Sequence, residues 1–322
     1  MSEAETLYRQ PWPELQAAAW EIRQRRHSPE LVCAVPGIKR YDTIHYRNTP
    51  DRFVAVSLTG RQCALQCEHC RGRLLAGMRP APTPHALLAL ADRLLEQGCE
   101  GLLISGGATE DGCVPLKQHL SAIARLKERG LRVVVHTGLV DRETADGLRA
   151  AGVDQVLVDI VGDANTIREV LHLERSPADY AATLVLLRDA GLRVAPHVVI
   201  GLHFGQQRGE LRALEIVRQV GADVLVLVVL RPLPGTPMEG LSGVPPAEIG
   251  RLVAVARLLN ADIPLTLGCA RPGGRAKLEM ERLAVLAGAN AIAYPDPATV
   301  DLAQELGLRL RFFEGCCTLA SG

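Results

Sequence analysis

At 322 residues with 48% hydrophobic content, the chain is long enough to bury one large core. Its 36 basic and 36 acidic residues cancel, so no global field steers it to nucleic acid or to a membrane surface. No apolar run reaches transmembrane length, Met1–Gln10 lacks a signal peptide's apolar centre, and nine cysteines are too dilute for a disulfide scaffold. The expectation is a single-core protein of the reducing cytoplasm.

In chain order, Glu14–Arg26 has helical apolar spacing and is followed by Ser28-Pro29. Leu31 to Pro50 is turn-rich and reads as an irregular extension crossing a barrel. From Phe53 onward two hydrophobic periods alternate. β-rich runs fall at 53–58, 101–104, 132–136, 154–160, 193–200, 223–230, 263–267 and 290–294. Amphipathic helix candidates lie between and after them at 84–97, 115–129, 141–151, 177–190, 209–220, 246–259, 274–287 and 297–306. Several helices close on a glycine before the next strand, as in Ala190-Gly191-Leu192-Arg193-Val194, a C-cap signal. Alternation of this kind predicts βαβ units and a parallel sheet, and eight repeats close naturally as a (βα)8 TIM-type barrel. An open doubly wound sheet is the alternative. The predicted organisation is an extension over 1–50, the barrel over 51–308, and a tail over 309–322. On a barrel, functional residues belong on the loops that follow the strands.

The first such loop carries Cys63-Ala-Leu-Gln-Cys67-Glu-His-Cys70, just after the apolar run Phe53-Val-Ala-Val-Ser-Leu58. Three thiolates this close hold three corners of a [4Fe-4S] cube and leave the fourth iron open to a ligand. A structural zinc site wants four paired ligands, and His69 beside Cys70 is poorly placed to be the fourth. A redox Cys-x-x-Cys pair needs two cysteines rather than three.

With this motif the sequence is identified as a member of the radical S-adenosylmethionine (SAM) superfamily. The resemblance implies a reduced cluster that passes one electron to SAM, giving methionine and a 5′-deoxyadenosyl radical that abstracts a substrate hydrogen. It also implies roles along the rim. Ser105-Gly106-Gly107, after the second strand, stands where the family contacts the SAM amino group; Ala108 replaces the usual acidic residue that follows. His69 occupies a position often aromatic and near the adenine, although a solvent-facing role fits equally. Asp159 ends the fourth strand, where a carboxylate accepts both ribose hydroxyls. Arg175, in Glu174-Arg175-Ser-Pro-Ala-Asp-Tyr, is similar to the biotin-synthase branch, whose arginine pairs with the SAM carboxylate as a guanidinium fork does. Arg231-Pro-Leu-Pro-Gly-Thr-Pro237 resembles the same branch. His136, His197, Arg231 and Thr266 are expected inside the barrel mouth, the first three as candidate catalytic residues.

Six thiols lie outside the motif. Cys99 reads as a packing residue and Cys113 is open to either reading. Cys269, Cys316 and Cys317 are candidate ligands of an auxiliary Fe-S cluster, which Cys33 or Ser321 would complete; exposed vicinal thiols are poor choices for inert residues. Pro36-Gly-Ile-Lys-Arg-Tyr41, Ser57-Leu-Thr-Gly60, Val161-Gly-Asp163 and His197-Val-Val-Ile-Gly-Leu-His203 resemble the second subunit of the two-subunit, archaeal-type lipoyl synthase. That resemblance implies sulfur insertion at C6 or C8 of a protein-bound octanoyl chain, with sulfur from the auxiliary cluster. Implied partners are an octanoylated lipoyl-carrier protein, a sister radical SAM subunit and a reductant such as ferredoxin. The alternatives are a biotin-synthase-like enzyme that transfers no sulfur, and a non-catalytic Fe-S carrier or zinc-binding module.

Overall fold

The computed structural model describes residues 1–320. Two helices, α1 (Glu3–Tyr8) and α2 (Trp12–Arg26), lead into β1 (Glu30–Ala34) and β2 (Phe53–Ser57). A short edge strand, β3 (Arg79–Pro80), follows the cysteine loop. The chain continues through α3 (Pro84–Glu96), β4 (Gly101–Ser105), α4 (Leu120–Glu128), β5 (Arg132–His136), α5 (Arg142–Ala150) and β6 (Gln155–Asp159). Then come α6 (Ala164–Glu169), α7 (Pro177–Asp189), β7 (Val194–Ile200), α8 (Glu210–Val220), β8 (Leu225–Val229) and α9 (Pro246–Leu259). Last are β9 (Leu265–Leu267), α10 (Gly274–Leu286), β10 (Ala291–Ala293), α11 (Pro297–Glu305) and β11 (Arg309–Phe313).

All eight predicted strands are present, from β2 through β4–β10, and they pair in parallel in sequence order. The sheet curls as expected, but its full order is β11-β1-β10-β9-β8-β7-β6-β5-β4-β2-β3, an eleven-stranded half-barrel. Closure of β10 onto β2 is replaced by two additions. The segment read as irregular from Leu31 begins with β1, which pairs with β10 on one side and β11 on the other. At the far edge β3 adds two residues to β2, and Pro80 there has no N–H to offer a further strand.

Alternation along each strand sorts the core into two layers. Val54, Val56, Leu102, Ile104, Val133, Val135, Val156 and Val158 face outward and pack with Leu87, Ile123, Leu148 and Leu184 of the surrounding helices. Phe53, Val134, Leu157, Ala195, Val226, Ala34 and Ala293 face inward. Those inner residues cluster with Cys316 and Cys317 of the tail, so the inner face is covered by the chain's own C-terminal segment and not by a second helical layer. This excludes the doubly wound alternative. Arg311 anchors the tail through Glu30, at 2.8 Å, and the Ala320 carbonyl. Among the described residues no helix is long and apolar enough to cross a membrane.

Candidate active site

Because the strands are parallel, every β-to-α loop opens at one end, where a cavity of about 300 Å³ lies against the cysteine loop. Its lining includes all three motif cysteines with His69, Ser105, Gly106, Gly107, His136 and Asp159. The predicted cofactor-binding residues thus meet in one place, Arg175 excepted.

The loop is held by short local bonds. The Thr59 hydroxyl donates to the Gln62 carbonyl at 2.7 Å and accepts the Gly107 amide at 2.7 Å, while the Ala64 amide donates to Ala108 at 2.8 Å. Gln66 and Arg71 take left-handed backbone, φ 45° and 46°, which bends the chain sharply around Cys67 and Cys70. A side chain at Gly107 would place its Cβ 2.0 Å from the Gln62 oxygen and 2.6 Å from the Cys63 Cα. Gly107 is therefore required first by the cysteine loop packed on it, a reason the sequence does not display.

Cys67 and Cys70 are buried and Cys63 is half-buried. A hydrogen bond from Cys67, assisted by His69, pulls the Cys70 thiol down despite burial, which favours its thiolate. Among the described residues no group of three or more His, Cys, Asp or Glu is gathered to hold a single metal ion. The triad lines one wall of a cavity instead of closing round a point, and three thiols with one thiolate already favoured are the donor set of an open [4Fe-4S] cluster.

Beside the cysteines stands a polar group on β5, β6 and β7, with His136 and Asp159 ending their strands and His197, in register with Asp159, midway along β7. His136 Nε2 lies 3.5 Å from the Asp159 carboxylate, and the His136 and His197 rings are 5.4 Å apart. Burial opposes the charge on each. For Asp159 the neighbouring His136 overrides burial and brings the carboxyl down to about 2. His136 is raised because the Asp159 charge and contact outweigh desolvation. His197 falls to about 4 through desolvation and the His136 charge. At neutral pH the arrangement is a carboxylate paired with His136 next to a neutral His197, which donates from Nδ1 to the Ala195 carbonyl at 2.9 Å. Thr266 is also on the inner face, in register with Val226, and its buried hydroxyl has no partner among the described residues.

Arg175 and Arg231 are placed differently. Arg175 does not line the cavity; it meets Asp111 at 3.4 Å in an exposed pair. Arg231 is exposed just past β8 and also lies outside the cavity lining.

The three outer thiols do converge. Cys269 follows β9, and Cys316 and Cys317 are brought to the inner face by the tail. Cys316 is pulled down to about 7 by its bond to Cys317, by Thr318 and by the His136 charge. Cys317 is raised by that same bond and by burial, with the charges of Cys316 and Cys269 adding to it. The second thiol group therefore adjoins the first site through His136. Cys33 points elsewhere: in register with Ile292, it faces the helical layer, and burial with the nearby Glu281 pushes its thiol up to about 12. Ser321 lies outside the described residues. Cys113 is half-buried in the glycine loop, and Cys99 packs with its thiol 3.3 Å from the Gly101 carbonyl.

Two nearby residues escaped the sequence reading. Tyr180 of α7 is buried and lines the cavity, hidden in an ordinary helical pattern. Lys39 sits 5.5 Å over the Tyr294 ring, and its charge acts on Cys269.

A parallel half-barrel with a three-cysteine loop, glycine loop and strand-end carboxylate around one cavity has the architecture and donor set of an iron–sulfur protein. Comparison with known proteins names it. Residues 57–217 match the Radical SAM superfamily, and residues 227–304 match the Biotin and Thiamin Synthesis associated domain. The chain belongs to the Radical SAM superfamily. It is 32% identical to the biotin synthase of Acidithiobacillus ferrooxidans over 176 residues, 54% of each chain. It is 26% identical to that of Halorhodospira halophila over 295 residues, covering 89% of this chain and 83% of the relative. The match spans about half the length of the Acidithiobacillus relative. Methylornithine synthase shares the fold with a TM-score of 0.62 at 17% identity, over 96% of this chain and 93% of that one. The [FeFe]-hydrogenase maturase HydG does so with a TM-score of 0.65 at 17% identity, over 90% of this chain and 64% of that one.

Proposed function

We propose that this chain is a lipoyl synthase-type radical SAM sulfurtransferase. It inserts sulfur into a protein-bound octanoyl chain, with an auxiliary iron–sulfur cluster as the sulfur source. The observation that carries the reading is the second thiol group: Cys316 and Cys317 are folded onto the inner face, Cys316 near His136, and Cys269 is close enough for its charge to act on Cys317.

Cys63, Cys67 and Cys70 would hold a [4Fe-4S] cluster, which when reduced supplies the electron that cleaves SAM. The chain's own residues then do three things. Asp159, kept ionised by His136, presents a carboxylate to the ribose hydroxyls. The glycine loop brings backbone amides to the cavity wall. His136, drawn toward its charged form by Asp159, lines the cavity and acts on Cys316, with the neutral His197 ring 5.4 Å behind it, so that each can hold a proton at a defined ring nitrogen. The cavity wall around them is largely apolar, with Leu103, Leu173, Val199 and Leu202, suited to an alkyl chain and to excluding water. An octanoylated carrier protein, a sister subunit, a reductant such as ferredoxin and a cytoplasmic setting belong to this proposal.

A second reading, a biotin-synthase-like enzyme acting on a small molecule without sulfur transfer, draws on the named relatives. Iron analysis after anaerobic reconstitution separates the two. About eight irons per chain supports the sulfurtransferase and about four opposes it, by cluster stoichiometry. Absence of SAM cleavage by an iron-replete, reducible protein would instead leave a carrier.

A further inference from the structure

We propose that His172 is a positioning residue that clamps the cysteine loop to the connection between α6 and α7. This rests on that loop being the cluster-binding loop, and not on the octanoyl assignment.

His172 is one of the few non-glycine residues with left-handed backbone, φ 58°. That conformation turns its imidazole back onto the cysteine loop. Nδ1 donates to the Leu65 carbonyl at 2.8 Å, and Nε2 lies 2.9 Å from the Glu68 carboxylate. Glu68 is in turn held by Arg71 at 2.6 Å. The two preceding residues add to the junction. The Val170 carbonyl accepts the Glu68 amide at 2.9 Å, and the Leu171 carbonyl lies 3.8 Å from the Cys67 sulfur. Residues 170–172 thus fasten residues 65–68 at four points, on both sides of Cys67.

The fastening matters because of what else this connection bears. It is joined to Asp159, at the end of β6, through the short helix α6, and it leads into α7, whose Tyr180 lines the cavity. The cysteine loop is otherwise short of regular structure, with a single 3-10 turn at Arg73–Gly77. The clamp fixes the spacing between the thiolates and the nucleoside side of the cavity. An imidazole suits the task because it is a rigid ring that places one nitrogen against Leu65 and the other against Glu68.

The test is His172→Asn, which tolerates the left-handed backbone but is too short to span both acceptors. In the apo protein, amide hydrogen exchange across residues 63–72 should quicken at least ten-fold while the β4–β8 amides keep wild-type protection. After anaerobic reconstitution, the EPR change produced by adding SAM to the reduced protein should weaken or shift. A cycle with Glu68→Ala should be non-additive in the exchange rates. Wild-type exchange and an unaltered EPR response in His172→Asn would overturn the proposal. So would acceleration spread evenly over the whole sheet, which would make His172 a general stability residue.

Discussion

Replacing Gly107 by alanine tests the packing of the two loops most sharply. The added Cβ would lie 2.0 Å from the Gln62 carbonyl oxygen and 2.6 Å from both Cα and Cβ of Cys63. Carbon needs well over 3 Å from such atoms, and two of the three obstacles are backbone, which cannot rotate away. The cysteine loop must move bodily by about 1 Å. Overpacking of this kind costs about 1–3 kcal/mol. Spread over the unfolding entropy of a chain this long, that lowers Tm by roughly 1–5 °C. The protein folds, but Cys63 leaves its place on the cavity wall. Gly106→Ala is the control, since its Cβ meets Thr59 side-chain atoms at 3.2–3.3 Å, which a small shift relieves. The assay is iron and sulfide content after anaerobic reconstitution, with SAM binding by equilibrium dialysis. Gly107→Ala should lose most of the motif cluster and bind SAM at least ten-fold more weakly, with Gly106→Ala near wild type. A Gly107→Ala protein with full cluster content and unchanged SAM affinity would refute the argument.

Other predictions follow from the buried charges. In an NMR titration of the imidazoles, His136 should titrate above the ordinary histidine value and His197 near 4; Asp159→Asn should bring His136 down. Because the folded pKa of His197 is depressed, the stability it contributes is intact above about 6.5 and lost as pH falls from there toward about 4. Urea unfolding at pH 7 and pH 5 should therefore show a smaller loss in His197→Gln than in wild type. An equal loss would mean the ring is solvated. Arg271 and Glu281 form a buried ion pair that also braces the carbonyls of Gly268 and Ala293. Arg271→Met should cost about 1–3 kcal/mol in denaturant unfolding by leaving the Gly268 and Ala293 carbonyls without their donor, while Glu281 keeps Lys277 at 3.2 Å and the Thr299 hydroxyl at 2.8 Å; a loss below about 0.5 kcal/mol would contradict this.

The strands and helices of the curled sheet were legible because each carries one clear period, from the Val133–Val135 run to the glycine that ends α7. β1 was not legible: Leu31-Val-Cys-Ala is only four residues long and is followed by turn signals, and its strand character comes from lying between β10 and β11. The cysteine loop, Asp159 and His136 could be placed from strand-end position, since a parallel sheet sends all such residues to one mouth, whereas His197 lies midway along β7 and reaches the group through its register with Asp159. Arg175 shows the limit of that logic. A loop residue's direction is set by neighbours such as Asp111, which no period reports. The roles of Gly107 and His172 depend on close approach between distant loops, and sequence spacing cannot register that.

The most direct measurement is mass spectrometry of an octanoylated lipoyl-carrier protein after anaerobic reaction with the reconstituted, reduced protein and SAM. Cys63→Ala and Cys316→Ala/Cys317→Ala proteins would be run in parallel, with and without a sister subunit. The account predicts a gain of sulfur mass with wild type, lost in both variants, while the tail variant still forms 5′-deoxyadenosine. Formation of 5′-deoxyadenosine by wild type with no sulfur added, even with the sister subunit present, would contradict it.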